Sequence, residues 1–342
     1  MTKDNNPIGL RGIAFVEFAG PDPARLDTLF RGFGFSRLKR HQAEDIIYYR
    51  QNEMHFVLNR QPDSFAARFA AAHGPSICAM GWRVDDADAA FAEAVKRGAR
   101  PYTGDKPYDV PAIYGIGDSL IYLIDRPGDR SYLDSFIDLD APLIVEDRGF
   151  LLIDHLTNNV TKGTMEAWSD FYKDVFGFTE VRTFDIDGKK TGLTSYALRS
   201  PCGSFCIPIN EEKDDKSQIA EYLREYRGPG VQHLAFLSTD LLASLDRLQS
   251  SGIETLDIDD EYYETVYERV PKVTEDRDRI KRHRVLVDGD DDGYLLQIFT
   301  KNIIGPIFFE MIQRKNHLSF GEGNFGALFR SIERDQERRG VL

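Results

Sequence analysis

Apolar positions along this chain follow two periods. Runs such as FLLIDHLTNNV (150–160), GVQHLAFLS (230–238) and GPIFFEMIQ (305–313) are short, rich in aromatic and branched residues, and bounded by glycine or polar turns. That pattern predicts strands. Between such runs the period lengthens. Trp168, Phe171, Tyr172 and Val175 recur at the spacing of one helix face, and the glycines that follow similar segments, Gly34 and Gly177, mark helix ends where a left-handed cap favours glycine. Near the end of the chain Phe325, Leu328, Phe329 and Ile332 repeat the helical spacing, with Arg330, Glu333, Arg334 and Glu337 opposite. A terminal amphipathic helix is predicted, with Asn324 as its N-cap.

The elements repeat. AFVEFAGPDPARLDTLFRGFGFSRLKR, from Ala14, is matched by LLIDHLTNNVTKGTMEAWSDFYKDVFGFTEVR, from Leu151. SICAMGWRVDDADAAFAEAVKRGARP, from Ser76, is matched by VQHLAFLSTDLLASLDRLQSSGIET, and GDSLIYLIDR, from Gly117, by GPIFFEMIQR. Four strand–helix–strands units follow, two per half, an internal duplication. Two domains are expected, 1–145 and 146–342, with the boundary between Asp140 and Arg148 after a connection punctuated by Pro127, Gly128 and Pro142. The wider spacing of the last match predicts insertions between about Glu211 and Asp292.

Three residues stand out against this frame. His155, His233 and Glu310 each sit inside an apolar strand run, 78 and 77 residues apart. Such side chains are rarely left unpaired among apolar neighbours. Two neutral imidazoles and one carboxylate form a ligand set suited to Fe(II) with positions left open. Each histidine alone also reads as a hydrogen-bonded core residue; an unpaired carboxylate between FF and MI is harder to accommodate. The repeat sets Ala79 against His233, Tyr122 against Glu310 and, nearest to His155, Glu17, so the first half lacks the trio. If the strands curl into a half-open barrel, one face lines a cavity where the three converge. Strict alternation puts Gln232 and Asp154 on the face away from the histidines beside them. The acceptor that each ligand histidine needs on its other ring nitrogen is not named by the sequence.

The formal net charge of −13 argues against nucleic acid or an anionic membrane as partner. No apolar run reaches the ~18 residues of a membrane helix, and MTKDNNPIG lacks the pattern of a signal peptide. Cys78, Cys202 and Cys206 are an odd, low number that suits a reducing compartment and buried thiols rather than disulfides or zinc. A cytoplasmic location is expected. GEGNFG (321–326) matches a nucleotide-loop pattern without its strand context. DGDDDG (288–293) opens like a calcium loop but has Phe299 where a glutamate is required, so a hairpin turn is expected there.

The second half resembles the bacterial type of 4-hydroxyphenylpyruvate dioxygenase, within the vicinal oxygen chelate superfamily. The resemblance is carried by IDHLTNNV (153–160), GLTSYAL (192–198), IPINEE (207–212), GPGVQHLAF (228–236), LLQIFT (295–300), GPIFFEMIQRK (305–315) and FGEGNFGALFRSIERDQERRGVL (320–342). It implies an α+β fold of two domains of paired βαβββ modules, each a half-open β-barrel, with a C-terminal lid helix. It implies Fe(II) held by His155, His233 and Glu310, and conversion of 4-hydroxyphenylpyruvate and O2 to homogentisate and CO2 in tyrosine and phenylalanine catabolism. Ser195, Asn210, Gln232 and Gln297 would act as polar catalytic and substrate contacts. Phe299 and Phe325 would flank the aromatic ring, and Phe308, Phe320 and Asn324 would shape the pocket. The related 4-hydroxymandelate synthases tend to differ at Pro208, Asn210 and Phe299; this chain keeps the dioxygenase residues, which favours ring hydroxylation. A binding protein of the same fold without oxygen chemistry is the third possibility. The resemblance also implies a homodimer or homotetramer.

Overall fold

The computed structural model describes residues 5–125, 132–187 and 191–341. Pro127 and Gly128, predicted to punctuate the connection, lie outside them. Two eight-stranded mixed sheets form the frame. The first contains β1 (Leu10–Ala19), β2 (Ser36–His41), β3 (Ile46–Gln51), β4 (Met54–Asn59), β5 (Ser76–Val84), β6 (Ala112–Tyr114), β7 (Leu120–Ile124) and β8 (Phe136–Leu143). The second contains β9 (Phe150–Val160), β10 (Thr179–Asp187), β11 (Gly192–Arg199), β12 (Cys206–Glu212), β13 (Gly230–Ser238), β14 (Leu286–Gly289), β15 (Tyr294–Phe299) and β16 (Phe308–Lys315). In their orders, β6-β7-β5-β1-β4-β3-β2-β8 and β10-β11-β12-β9-β13-β16-β15-β14, seven strands share one layout, β2-β3-β4-β1-β5-β7-β6 matching β10-β11-β12-β9-β13-β16-β15, while β8 and β14 are added at opposite edges. The α+β fold of paired strand–helix–strands modules is therefore as expected. In the second module of the first sheet an isolated bridge from Pro101 to Ile113 stands where a third strand would be.

Helices cross between the strands: α1 (Pro23–Gly32), α2 (Phe65–His73), α3 (Ala87–Lys96), α4 (Met165–Phe176), α5 (Gln218–Tyr226) and α6 (Leu241–Leu248). Gly177 closes α4 at φ 79°, where a side chain would be strained. The predicted insertion is α7 (Tyr262–Arg269) and α8 (Arg277–Arg282), between α6 and β14. DGDDDG turns the β14–β15 hairpin, as expected. The chain ends in α9 (Phe325–Arg338). Among the described residues no helix is long and apolar enough to cross a membrane.

One continuous hydrophobic core joins the two sheets. Phe56 of the first sheet, with Phe33 and Phe35 from the connection between α1 and β2, meets Phe236 and Phe309 of the second, with Phe33 edge-on to Phe309 at 5.1 Å and Phe35 stacked on Phe56 at 4.0 Å.

The duplication reaches into the irregularities of the strands. The β1–β5 ladder slips past an extra residue at Arg11, Ala14 and Cys78. The β9–β13 ladder does so at Leu151, Asp154 and Gln232. These three bulges coincide when the halves are superposed in register, and they correct the sequence comparison. Phe15, not Glu17, is the counterpart of His155; Ala79 remains that of His233, and Tyr122 that of Glu310. A slip of two residues keeps every side chain on its face, so alternation could not reveal it. Phe15 packs against Tyr108, Tyr122 and Tyr132 with ring centroids 4.4–6.0 Å apart. Where the second half has its polar trio, the first has an aromatic plug.

Glu17 instead corresponds to Thr157. It is buried and accepts hydrogen bonds from Asn59 (2.8 Å) and Tyr108 (3.0 Å). Burial raises its pKa to about 7, and those two bonds offset only part of that. The folded state therefore holds a proton that the unfolded chain releases near pH 4.5, and stability falls as pH rises from there to about 7. Glu17→Gln removes the ionisation. It is expected to raise the unfolding free energy at pH 8, by an amount on the order of 3 kcal/mol, and to change it little at pH 4.5; equal changes at both pH values in denaturant unfolding would contradict this.

Candidate metal centre and cavity

His155, His233 and Glu310 come from β9, β13 and β16, three consecutive strands of the second sheet. All three are buried. Glu310 Oε2 lies 3.0 Å from His155 Nε2 and 3.3 Å from His233 Nε2, and the two nitrogens are 3.4 Å apart. Those edges are what three ligands about 2.1 Å from a common ion present on one face of a coordination polyhedron. Donor type, spacing and burial thus fit a divalent cation. Among the described residues this is the one cluster of histidine, cysteine or carboxylate groups that meets such geometry.

The bulges aim the imidazoles. Alternation predicted that Asp154 and Gln232 face away from the neighbouring histidines. Each is instead the extra residue of a bulge, which turns two successive side chains to one side. His155 Nδ1–H donates to Asp154 Oδ2 at 2.8 Å, and His233 Nδ1–H donates to Gln232 Oε1 at 3.0 Å. Both Nε2 atoms are thereby turned toward Glu310, where their lone pairs can serve as metal ligands. These are the acceptors that the sequence did not name. Asp154 is gripped in turn by Arg314, through Nε and Nη2, both at 2.8 Å.

Electrostatics follow from this packing. Burial opposes charge on His155, but Glu310 and Asp154 outweigh it and raise its pKa to about 9. Burial likewise opposes ionisation of Glu310, yet the two histidines hold it at about 2. Burial lowers His233 more than Glu310 raises it. Asp154 stays well below the usual carboxylate range; burial works against this, and Arg314 prevails.

Beside the trio lies a cavity of about 140 Å³. Ser195, Asn210, Gln232, Gln297, Phe299, Phe308, Phe320 and Phe325 all line it. Phe308 stacks on His233 at 4.8 Å, Phe299 stands edge-on to it at 6.2 Å, and Phe320 stands edge-on to His155 at 5.6 Å. Asn210 reaches Gln232 Oε1 at 3.4 Å. Neither side-chain polar atom of Gln297 has a protein partner, although the residue is buried. Tyr196 packs toward the shared core while Ser195 faces the cavity, as regular alternation in β11 requires.

Asn324 does not line the cavity. It occupies the N-cap position of α9 without capping it, and its Oδ1 accepts from Tyr262 (2.7 Å) and Arg269 (3.2 Å). Thr157, Phe184 and Leu193, to which the sequence assigned no role, also line the cavity. Phe184 was findable by strand alternation only once the β10–β11 pairing was known.

Two curled sheets of duplicated modules, with a polar trio inside one of them, define a member of the vicinal oxygen chelate superfamily. Comparisons with known proteins narrow this. Residues 4–141 match the family model described as hydroxyphenylpyruvate dioxygenase, HPPD, N-terminal, and residues 152–298 match that of the glyoxalase/bleomycin resistance protein/dioxygenase superfamily. Protein MelA of Shewanella colwelliana is 64% identical over 100% of both chains. The 4-hydroxyphenylpyruvate dioxygenase of Pseudomonas aeruginosa is 45% identical over 99% of this chain and 98% of its own. A solved triple mutant of 4-hydroxymandelate synthase from Streptomyces coelicolor superposes with a TM-score of 0.82 at 27% identity, covering 96% of this chain and 99% of its own. The chain belongs to the 4-hydroxyphenylpyruvate dioxygenase family.

Proposed function

We propose that the protein is an Fe(II)-dependent 4-hydroxyphenylpyruvate dioxygenase, converting its 2-oxoacid substrate and O2 to homogentisate and CO2. The convergence of His155, His233 and Glu310 beside an aromatic cavity carries this reading. Those three residues would hold the iron, which when bound supplies the redox chemistry with O2. The chain supplies the rest. Phe299, Phe308 and Phe325 sandwich an aromatic ring and keep the cavity dry. Gln297, with two uncommitted polar atoms, and Ser195, Asn210 and Gln232 offer hydrogen bonds that fix its polar ends. The helix α9 excludes water from the mouth.

The likeness to a hydroxymandelate synthase favours a second reading, the same substrate oxidised on its side chain. Pro208, Asn210 and Phe299, the positions at which that family tends to differ, keep the dioxygenase identities here. A binder without oxygen chemistry is a third. Product analysis after anaerobic iron loading, then addition of 4-hydroxyphenylpyruvate and O2, decides. Homogentisate supports the first reading, hydroxymandelate replaces it with the second, and no oxygen uptake replaces it with the third. The same proposal places residues 1–145 in a scaffold domain and 146–342 in a catalytic one. It takes the protein to be a cytoplasmic homodimer or homotetramer of tyrosine and phenylalanine catabolism.

A further inference from the structure

The guanidinium of Arg314 is mostly shielded from solvent, and its Nε, Nη1 and Nη2 all donate hydrogen bonds within the protein. Nε and Nη2 form a two-pronged bond to Asp154, while Nη1 donates to the backbone carbonyls of His317 (3.1 Å) and Ser319 (2.6 Å). Those carbonyls belong to the segment that carries Phe320 against the His155 ring. Asp154, the bulged residue of β9, receives Nδ1–H of His155 through the same oxygen that Arg314 Nη2 grips. One cation thus ties together β9, β16 and the segment leading to α9.

We propose that Asp154 and Arg314 are a positioning pair. Arg314 holds the carboxylate in the one orientation that keeps the His155 Nε2 lone pair turned toward Glu310 and His233, and it seats Phe320 beside that ring. The inference rests on the metal-binding reading above and extends it to two residues that would not touch the ion. The forked geometry is essential to it: an ammonium at position 314 keeps the charge but cannot grip both oxygens and two carbonyls at once.

The test is Co(II) affinity of the purified full-length apoprotein, followed by visible absorption against a competing chelator, alongside the melting temperature of the apo form. Asp154→Asn keeps an acceptor but loses the charge and is expected to weaken Co(II) binding about 10-fold, and Arg314→Lys by a similar factor. The double variant Asp154→Ala with Arg314→Met leaves no stranded charge. It should weaken binding 10–100-fold, the range typical when a ligand histidine loses its orienting partner. If either single variant fails to fold, the double variant decides. Variants whose apo melting temperature falls while Co(II) affinity stays at the wild-type value would show a strut between strands and overturn the proposal. A wild-type protein that takes up no Co(II) overturns the metal reading itself, by a different and earlier result.

Discussion

Replacing Glu310 with alanine is expected to abolish oxygen consumption with 4-hydroxyphenylpyruvate and to bring the iron content of the purified protein to background. Glu310 supplies the one anionic donor of the trio, and its Oε2 lies within 3.3 Å of both imidazoles. The remaining pair of neutral donors would have to hold a dication without charge compensation. The loss should exceed the roughly 100-fold that removal of a mere orienting partner costs. The chain should still fold. Asp154 keeps its bonds to His155 Nδ1–H and to Arg314, so no unpaired charge is buried. An oxygen electrode and elemental analysis read the two outcomes. Turnover within 10-fold of wild type would remove the basis for the metal centre.

Deleting Asn324 through Leu342 should abolish turnover while leaving iron bound. Phe325, Leu328, Phe329 and Ile332 of α9 form one wall of the cavity, and Phe329 is buried. The helix is fastened around its circumference. Ser331 donates to the Asp257 carbonyl at 2.7 Å, Arg334 pairs with Asp259 at 2.6 Å, Thr191 donates to Glu333, and Gln336 and Arg339 both meet Glu221 on α5. None of these residues belongs to the metal trio. Without the helix the cavity opens to water, which competes for the substrate's hydrogen bonds and reaches whatever reactive species forms there. Iron content with turnover separates the two functions; a truncated chain that still makes product would show that α9 only packs on the sheet.

Much of this architecture was legible in the sequence. The duplication, the two-period patterning and the terminal helix all follow from side-chain spacing, because burial on one face imposes that spacing directly. The trio was legible for a related reason: a carboxylate between Phe309 and Met311 has no cheap structural explanation. What escaped was everything that depends on a bulge. Alternation sent Asp154 and Gln232 to the wrong face, since one extra residue in a strand leaves no mark on composition. The matching of His155 to Glu17 instead of Phe15 was a slip of two residues, to which alternation is blind. Asn324 escaped differently. Its side chain serves Tyr262 and Arg269, on an inserted helix whose position no local pattern specifies.

The paired bulges bear on how such a centre arises. The first half keeps all three distortions although phenylalanine, alanine and tyrosine stand where donors would be. The mould that aims the side chains is thus inherited by the backbone and does not need an ion to hold its shape. Metal-free and metal-loaded forms should share one main-chain conformation, and gain or loss of such a centre during descent need only exchange a few side chains on a frame already bent to receive them.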